Sequence, residues 1–201
     1  MRYFWRVLSY VFHPLLVPIA GTVSYFLVTP KFNPLAIQSG NILPIFILTV
    51  IIPIIFYLIL KNLGVVKSVF APTIKERKYP LYLSMIIYLM ILYKVIPLNY
   101  INELYFFFVG LLIATFATLL ILFVKIRASI HLMGLGSLLF YLIGLSIHFE
   151  RNITIAIALL TLMCGMVATS RLYMKAHTPN ELLIGFLLGC ISQFFTFKYW
   201  L

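Results

Sequence analysis

At 201 residues the chain has the length of a single domain. Hydrophobic residues make up 64% of it and charged residues only 9%, where a soluble globular chain is roughly a quarter charged. Disorder, a coiled coil, a disulfide scaffold and almost every water-soluble fold are excluded, which leaves an all-α polytopic membrane bundle. The acidic residues number 4, all Glu, against 15 Lys and Arg, for a net charge of +11. Basic residues set between apolar runs point to bilayer lipids and a phosphorylated lipid as partners, not to nucleic acid.

A spanning helix needs about 20 mostly apolar residues. Stretches of that kind fall at 8–29, 42–60, 81–98, 104–124, 129–147, 152–170 and 179–197, so six to seven transmembrane helices are expected. The first contains His13-Pro14 and Pro18 and has no convincing cleavage site. It reads as a membrane segment lying partly along the interface rather than a signal peptide. The second and fourth carry no charge. The third weakens at Lys94 and Pro97. Residues 61–80 read as the one long connection, holding 5 of the 15 basic residues.

Lipid offers the backbone no hydrogen-bond partner, so spans are helices or a closed barrel. The runs here are continuous rather than alternating and twice a barrel strand in length, which selects helices. Gly134, Gly136 and Ser137, with Gly185 and Gly189 at Gly-x3-Gly spacing, are the expected packing surfaces. Cys164 and Cys190 lie within apolar runs and read as packing residues. No linker or repeat divides the chain, so residues 1–201 form one domain.

Ionisable residues near a membrane core are costly and default to function. They gather in three clusters: Lys75-Glu76-Arg77-Lys78, Lys125 to His131, and Ser170 to Glu181. Two spans separate each cluster from the next, so all three reach the same face and can converge. The combined inventory is Lys75, Arg77, Lys78, Arg127, Ser129, His131, Ser170, Arg171, His177 and Glu181. Arginines grip phosphate through a bidentate fork. Histidines serve as nucleophile and proton donor near neutral pH. Glu181, four residues after His177, faces the same side of a helix one turn on, where a carboxylate fixes an imidazole tautomer. The set lacks paired carboxylates, a cysteine nucleophile and metal-ligand spacing. It fits phosphoryl transfer through a phosphohistidine, with no cofactor and no metal.

At these residues the chain resembles the type 2 phosphatidic acid phosphatase superfamily. Ser170-Arg171-x5-His177-x3-Glu181 is similar to its Ser-Arg-x5-His-x3-Asp signature, and Ala128-Ser129-Ile130-His131 to its Pro-Ser-Gly-His signature. The resemblance covers roughly residues 60–195. It implies a six-helix core and an integral-membrane phosphatase acting on a lipid phosphomonoester or pyrophosphate, of polyprenyl pyrophosphate, phosphatidic acid, phosphatidylglycerol phosphate or lipid A type. By position, His177 would attack phosphorus, Glu181 would activate it and His131 would protonate the leaving group. Arg171 and Ser129 would hold phosphate oxygens. The family's Lys-x6-Arg-Pro signature is not reproduced, and Arg77, Lys75 and Lys78 stand as its substitutes. Glu for Asp at 181 and Ile130 for Gly are further departures. They support an alternative, a weak or inactive relative that binds or transports phospholipid.

Several of these residues also have a plain structural reading. Thr178-Pro179-Asn180-Glu181 is a helix-start signal, Ser129 is a possible cap, and His13 and His148 match no signature and read as interfacial. The basic residues Arg2, Arg6, Lys67 and Lys175 would turn the cluster face toward the cytoplasm, whereas the family's bacterial members act on the outer face of the inner membrane. The two signals oppose each other, and the family habit carries slightly more weight.

Overall fold

A computed structural model of the protein describes residues 2–66, 74–98 and 100–201, with the side chains of residues 2, 74 and 75 outside that description. Lys67 and the Lys75 side chain therefore fall outside the described residues. The described helices are α1 (Arg2–Val11), α2 (Val17–Val28), α3 (Leu35–Phe46), α4 (Ile52–Asn62), α5 (Ile74–Met90), α6 (Asn102–Phe123), α7 (Ile130–His148), α8 (Thr154–Tyr173) and α9 (Pro179–Phe197). Among the described residues, six segments are long and apolar enough to cross a bilayer: Tyr3–Val28, Leu35–Asn62, and α6 to α9. The chain is an integral membrane protein of the helical-bundle class.

The first segment is bent at His13-Pro14. A residue before proline is pushed out of the helical region, and His13 adopts φ −69°, ψ 139°. Trp5 meets Tyr173, Ser9 meets Ser170, and His13 meets His131. These partners all stand at one end of α7 and α8, so α1 lies across that end and α2 makes the descent. Within Leu35–Asn62, Pro53 has no N–H for the carbonyl one turn earlier, and the chain passes through a wide π turn over Ile47–Ile51 just before it.

Residues 75–80 are not part of a connection. α5 begins at Ile74, with Pro80 inside it. The charge density of this stretch masks a helical register in which Arg77, Leu81, Ser84 and Tyr88 share one face. α5 runs antiparallel to α6: the Lys78 ammonium sits 4.1 Å from the Phe123 ring centre, Leu81 packs with Leu119 and Leu122, and Tyr88 meets Phe108.

α7 and α9 run parallel and nearly touch. A methyl on Gly185 would overlap the Ser129 backbone, one on Gly189 the Met133 carbonyl, and one on Gly136 the Phe186 carbonyl. Lipid tails are as apolar as leucine, so such close packing, rather than hydrophobic burial, holds membrane helices together. Ser137 Oγ adds a hydrogen bond to the Gly189 carbonyl at 3.3 Å.

The large aromatics fill the half of the bundle farther from the three clusters. Phe107 stacks on Tyr141 with centroids 4.3 Å apart, and Gly21 makes room for the Phe107 ring. Beyond them, at the opposite face, buried Glu103 accepts from Lys31 Nζ at 2.6 Å and His148 Nε2 at 3.2 Å. His148, which sequence reading set aside as interfacial, therefore ties the end of α7 to α6.

Two stability predictions follow from this packing. Gly189→Ala should lower stability by roughly 1–3 kcal/mol through overpacking, while Gly40→Ala, where an added methyl meets no atom within 4 Å, should be neutral or slightly stabilising. Lys31→Ala should cost on the order of 3 kcal/mol, because it leaves the buried Glu103 carboxylate with only His148 beside it, whereas Glu103→Ala should cost less, since the Lys31 side chain it leaves is 56% exposed. Thermal unfolding in detergent measures all four.

Candidate functional site

The three clusters converge at the end of the bundle crossed by α1. The turn after α8 explains how His177 gets there. Lys175 takes a left-handed conformation, φ 53°, the Ala176 N–H bonds the Arg171 carbonyl at 3.0 Å and the Lys175 N–H the Leu172 carbonyl at 2.9 Å, a helix stop of the Schellman type. Two residues later His177 is buried. Thr178 caps α9, its hydroxyl accepting from the Glu181 N–H at 3.4 Å, and Pro179 occupies the first turn.

Glu181 is the hub. Its Oε2 accepts from His177 Nδ1 at 2.7 Å. Its Oε1 accepts from Arg127 Nε at 2.9 Å and pairs with Arg127 Nη2 at 2.8 Å. Its backbone carbonyl accepts the Ser129 N–H at 2.9 Å. The side chain is thus more than a helix cap: both carboxylate oxygens are engaged away from the α9 backbone. With Nδ1–H donating to the carboxylate, the neutral His177 ring carries its lone pair on Nε2.

A cavity of ≈ 130 Å³ opens beside these groups. Arg77, His131, Arg171, His177 and His13 line its polar end; Val17, Leu81, Ile87, Leu111 and Met133 line the part that runs into the bundle. Its volume is on the order of that of an engineered cavity that takes one benzene molecule, enough for a headgroup phosphate and the first few carbons of a tail. Burial pushes the His177 imidazole down to about 4; the Glu181 hydrogen bond opposes that shift, and the charges of Arg77 and Arg171 add to it. Arg77 Nη1 also reaches the Ala128 carbonyl at 3.5 Å, which ties α5 to the start of α7.

Several expected phosphate contacts lie elsewhere. Ser170 is fully buried in the α1–α8 joint, donating to the Trp5 carbonyl and paired with the Ser9 hydroxyl, both at 2.8 Å. Ser129 caps α7, accepting from Leu132 N–H at 3.5 Å, and is wedged against α9. Neither lines the cavity: the Ser170 hydroxyl is used in the α1–α8 contact and the Ser129 hydroxyl caps its own helix. Arg127 is committed to Glu181, and Lys78 lies over Phe123. His13, in contrast, belongs to the site although no motif contains it. The crossing count that placed the three clusters on one face also places a residue at the head of the first span there, and that was the available signal. Compared with protein-family models, curated proteins and solved structures, the chain matches none.

The low proton affinity of His177 is directly testable. The folded value of about 4 against an ordinary 6.5 means that the ring stays neutral, and reactive to acylation, down to about pH 4. Carbethoxylation of His177, mapped by peptide mass spectrometry, should therefore show a midpoint near 4. In Glu181→Gln, which removes the interaction that raises the value, the midpoint should move lower. A midpoint at 6.5 in the unsubstituted protein would contradict the buried environment described above.

Proposed function

We propose that the protein is a lipid phosphate phosphatase that hydrolyses a lipid phosphomonoester or pyrophosphate through a phosphohistidine. The observation that carries this reading is the His177–Glu181 pair at 2.7 Å beside a cavity lined by Arg77 and Arg171. His177 Nε2 attacks phosphorus, forming a P–N bond as the bond to the leaving oxygen breaks. The ring becomes cationic, and Glu181, one turn away, offsets that charge and holds Nε2 forward. Arg77 and Arg171 stabilise the phosphoryl oxygens. His131, entering the step as the imidazolium with its Nε2–H on the Ser9 carbonyl, gives its Nδ1 proton to the leaving oxygen; the neutral ring then takes a proton from the water that releases phosphate from His177.

The substrate class is argued from the surroundings. The cavity runs from the cluster end into the bundle, and beyond the cations its wall is mainly apolar, with Thr49, Ser84, Tyr88 and Thr115 among the lining residues. A headgroup phosphate bound at the cations would leave its carbon chain against that wall. The arginines supply the positive charge that a metal ion supplies in other phosphatases, so turnover is expected to persist without one. The withdrawal of Ser129 and Ser170 from the cavity favours one second reading, a relative that binds phospholipid and does not hydrolyse it.

Purified protein in detergent should release phosphate from at least one of polyprenyl pyrophosphate, phosphatidic acid, phosphatidylglycerol phosphate or a lipid A phosphate, with EDTA present. His177→Ala should abolish turnover and covalent labelling while leaving the fold intact. Glu181→Gln should lower the rate by up to about 10⁴, as loss of an orienting carboxylate does in serine proteases, and Glu181→Asp should retain substantial activity. Tight lipid binding with no phosphate release from any of the four would establish the binding protein instead; strict dependence on a divalent metal would overturn the mechanism.

A further inference from the structure

We propose that His13 is a third histidine of this site and donates its Nε2–H to an oxygen of the bound phosphate; the proposal rests on the reading of the cavity as a phosphate site. The backbone fixes which ring nitrogen is presented. The Leu15 N–H donates to His13 Nδ1 at 3.3 Å, capping the single 3-10 turn Pro14–Leu16. A nitrogen that accepts holds a lone pair, so the proton of the neutral ring sits on Nε2, the edge turned away from the cap. The half-buried ring lines the cavity with Arg77, Arg171 and His177.

His13 also stands edge to face with His131, with centroids 5.3 Å apart and planes at 80°. The two rings offer different things. His131 Nε2 lies 3.3 Å from the Ser9 carbonyl, and a carbonyl only accepts, so that N–H is committed to α1. His131 is left with Nδ1 to present, while His13 presents an N–H. One short segment, Ser9 to His13, thus orients His131 and adds a donor. Among the described residues no carboxylate lines the cavity, so this N–H meets no protein anion there. A phosphate oxygen is the acceptor that a cavity of this charge draws in.

The same side chain also caps a turn, so the experiment must separate the two roles. Asparagine keeps an acceptor where Nδ1 stands and is a favoured cap, but it lacks the Nε2 donor. Glutamine places an amide N–H near Nε2. Orthovanadate affinity, KM and kcat, and thermal unfolding would be measured for His13→Asn and His13→Gln. The expected result for His13→Asn is unfolding like the parent with vanadate bound about 10- to 100-fold more weakly, the range for a hydrogen bond to a charged group. His13→Gln should recover part of that loss. If His13→Asn binds vanadate as the parent does, the side chain is a turn cap and the proposal is overturned.

A second measurement needs no variant. In the unsubstituted protein, vanadate should protect His13 from carbethoxylation, read by peptide mass spectrometry, and unchanged labelling of His13 in vanadate-saturated protein would overturn the proposal even if the variants failed to fold. A parent protein that binds vanadate through His13 yet releases no phosphate from lipid would sustain this inference and defeat the phosphatase. A parent that does neither would defeat both.

Discussion

Gly136, Gly185 and Gly189 let the α7 and α9 backbones pack against one another, and the geometry of the site follows from that approach. It sets the Ser129 N–H on the Glu181 carbonyl at 2.9 Å, which locks the first turns of the two helices side by side. His131 is fixed to one of those turns and the His177–Glu181 pair to the other. A bulkier residue at any of the three glycines would push the helices apart and separate the histidines, even though none of the glycines touches the cavity. Catalytic geometry tolerates little displacement, since misplacement by about 1 Å can cost 10²-fold.

The same arrangement concentrates positive potential. α7 and α9 both begin at this end, and a helix N-terminus carries a partial positive charge. Arg77 and Arg171, which line the cavity, add full charges. The far half of the bundle is built differently: Phe107, Tyr141 and Tyr25 are buried there, and Glu103 neutralises Lys31. A rigid, filled half supports a half that keeps a charged cavity open.

Much of this was legible in the sequence. Continuous apolar runs located the spans, and counting crossings put the three clusters on one face. The four-residue spacing of His177 and Glu181 anticipated their hydrogen bond. The Thr178-Pro179 start of α9 was equally plain. The failures have physical causes. Residues 75–80 read as a connection because charge and Pro80 outweigh a helical register that becomes visible only when Arg77 is seen to share a face with Leu81 and Tyr88. For Ser129 and Ser170, a hydroxyl in a motif carries no record of what it bonds; in the fold one caps α7 and the other joins α8 to α1. His13 was passed over because a site assembled from distant segments leaves no spacing to read.

The glutamate at position 181 shows how local chemistry and packing meet. A carboxylate that only had to orient His177 could sit on a shorter side chain. Here it also accepts two N–H groups from Arg127 on the α6–α7 loop, while its own backbone carbonyl holds Ser129. Pairing with a guanidinium keeps the carboxylate ionised, and an ionised Oε2 keeps the proton on His177 Nδ1, which leaves the lone pair on Nε2, the nitrogen that would act on phosphorus. The extra methylene relative to aspartate gives the reach to span a histidine one turn back and an arginine in another segment. A departure from the motif in sequence is, in the fold, the residue whose carboxylate joins the α6–α7 loop to His177 and whose backbone carbonyl holds the start of α7.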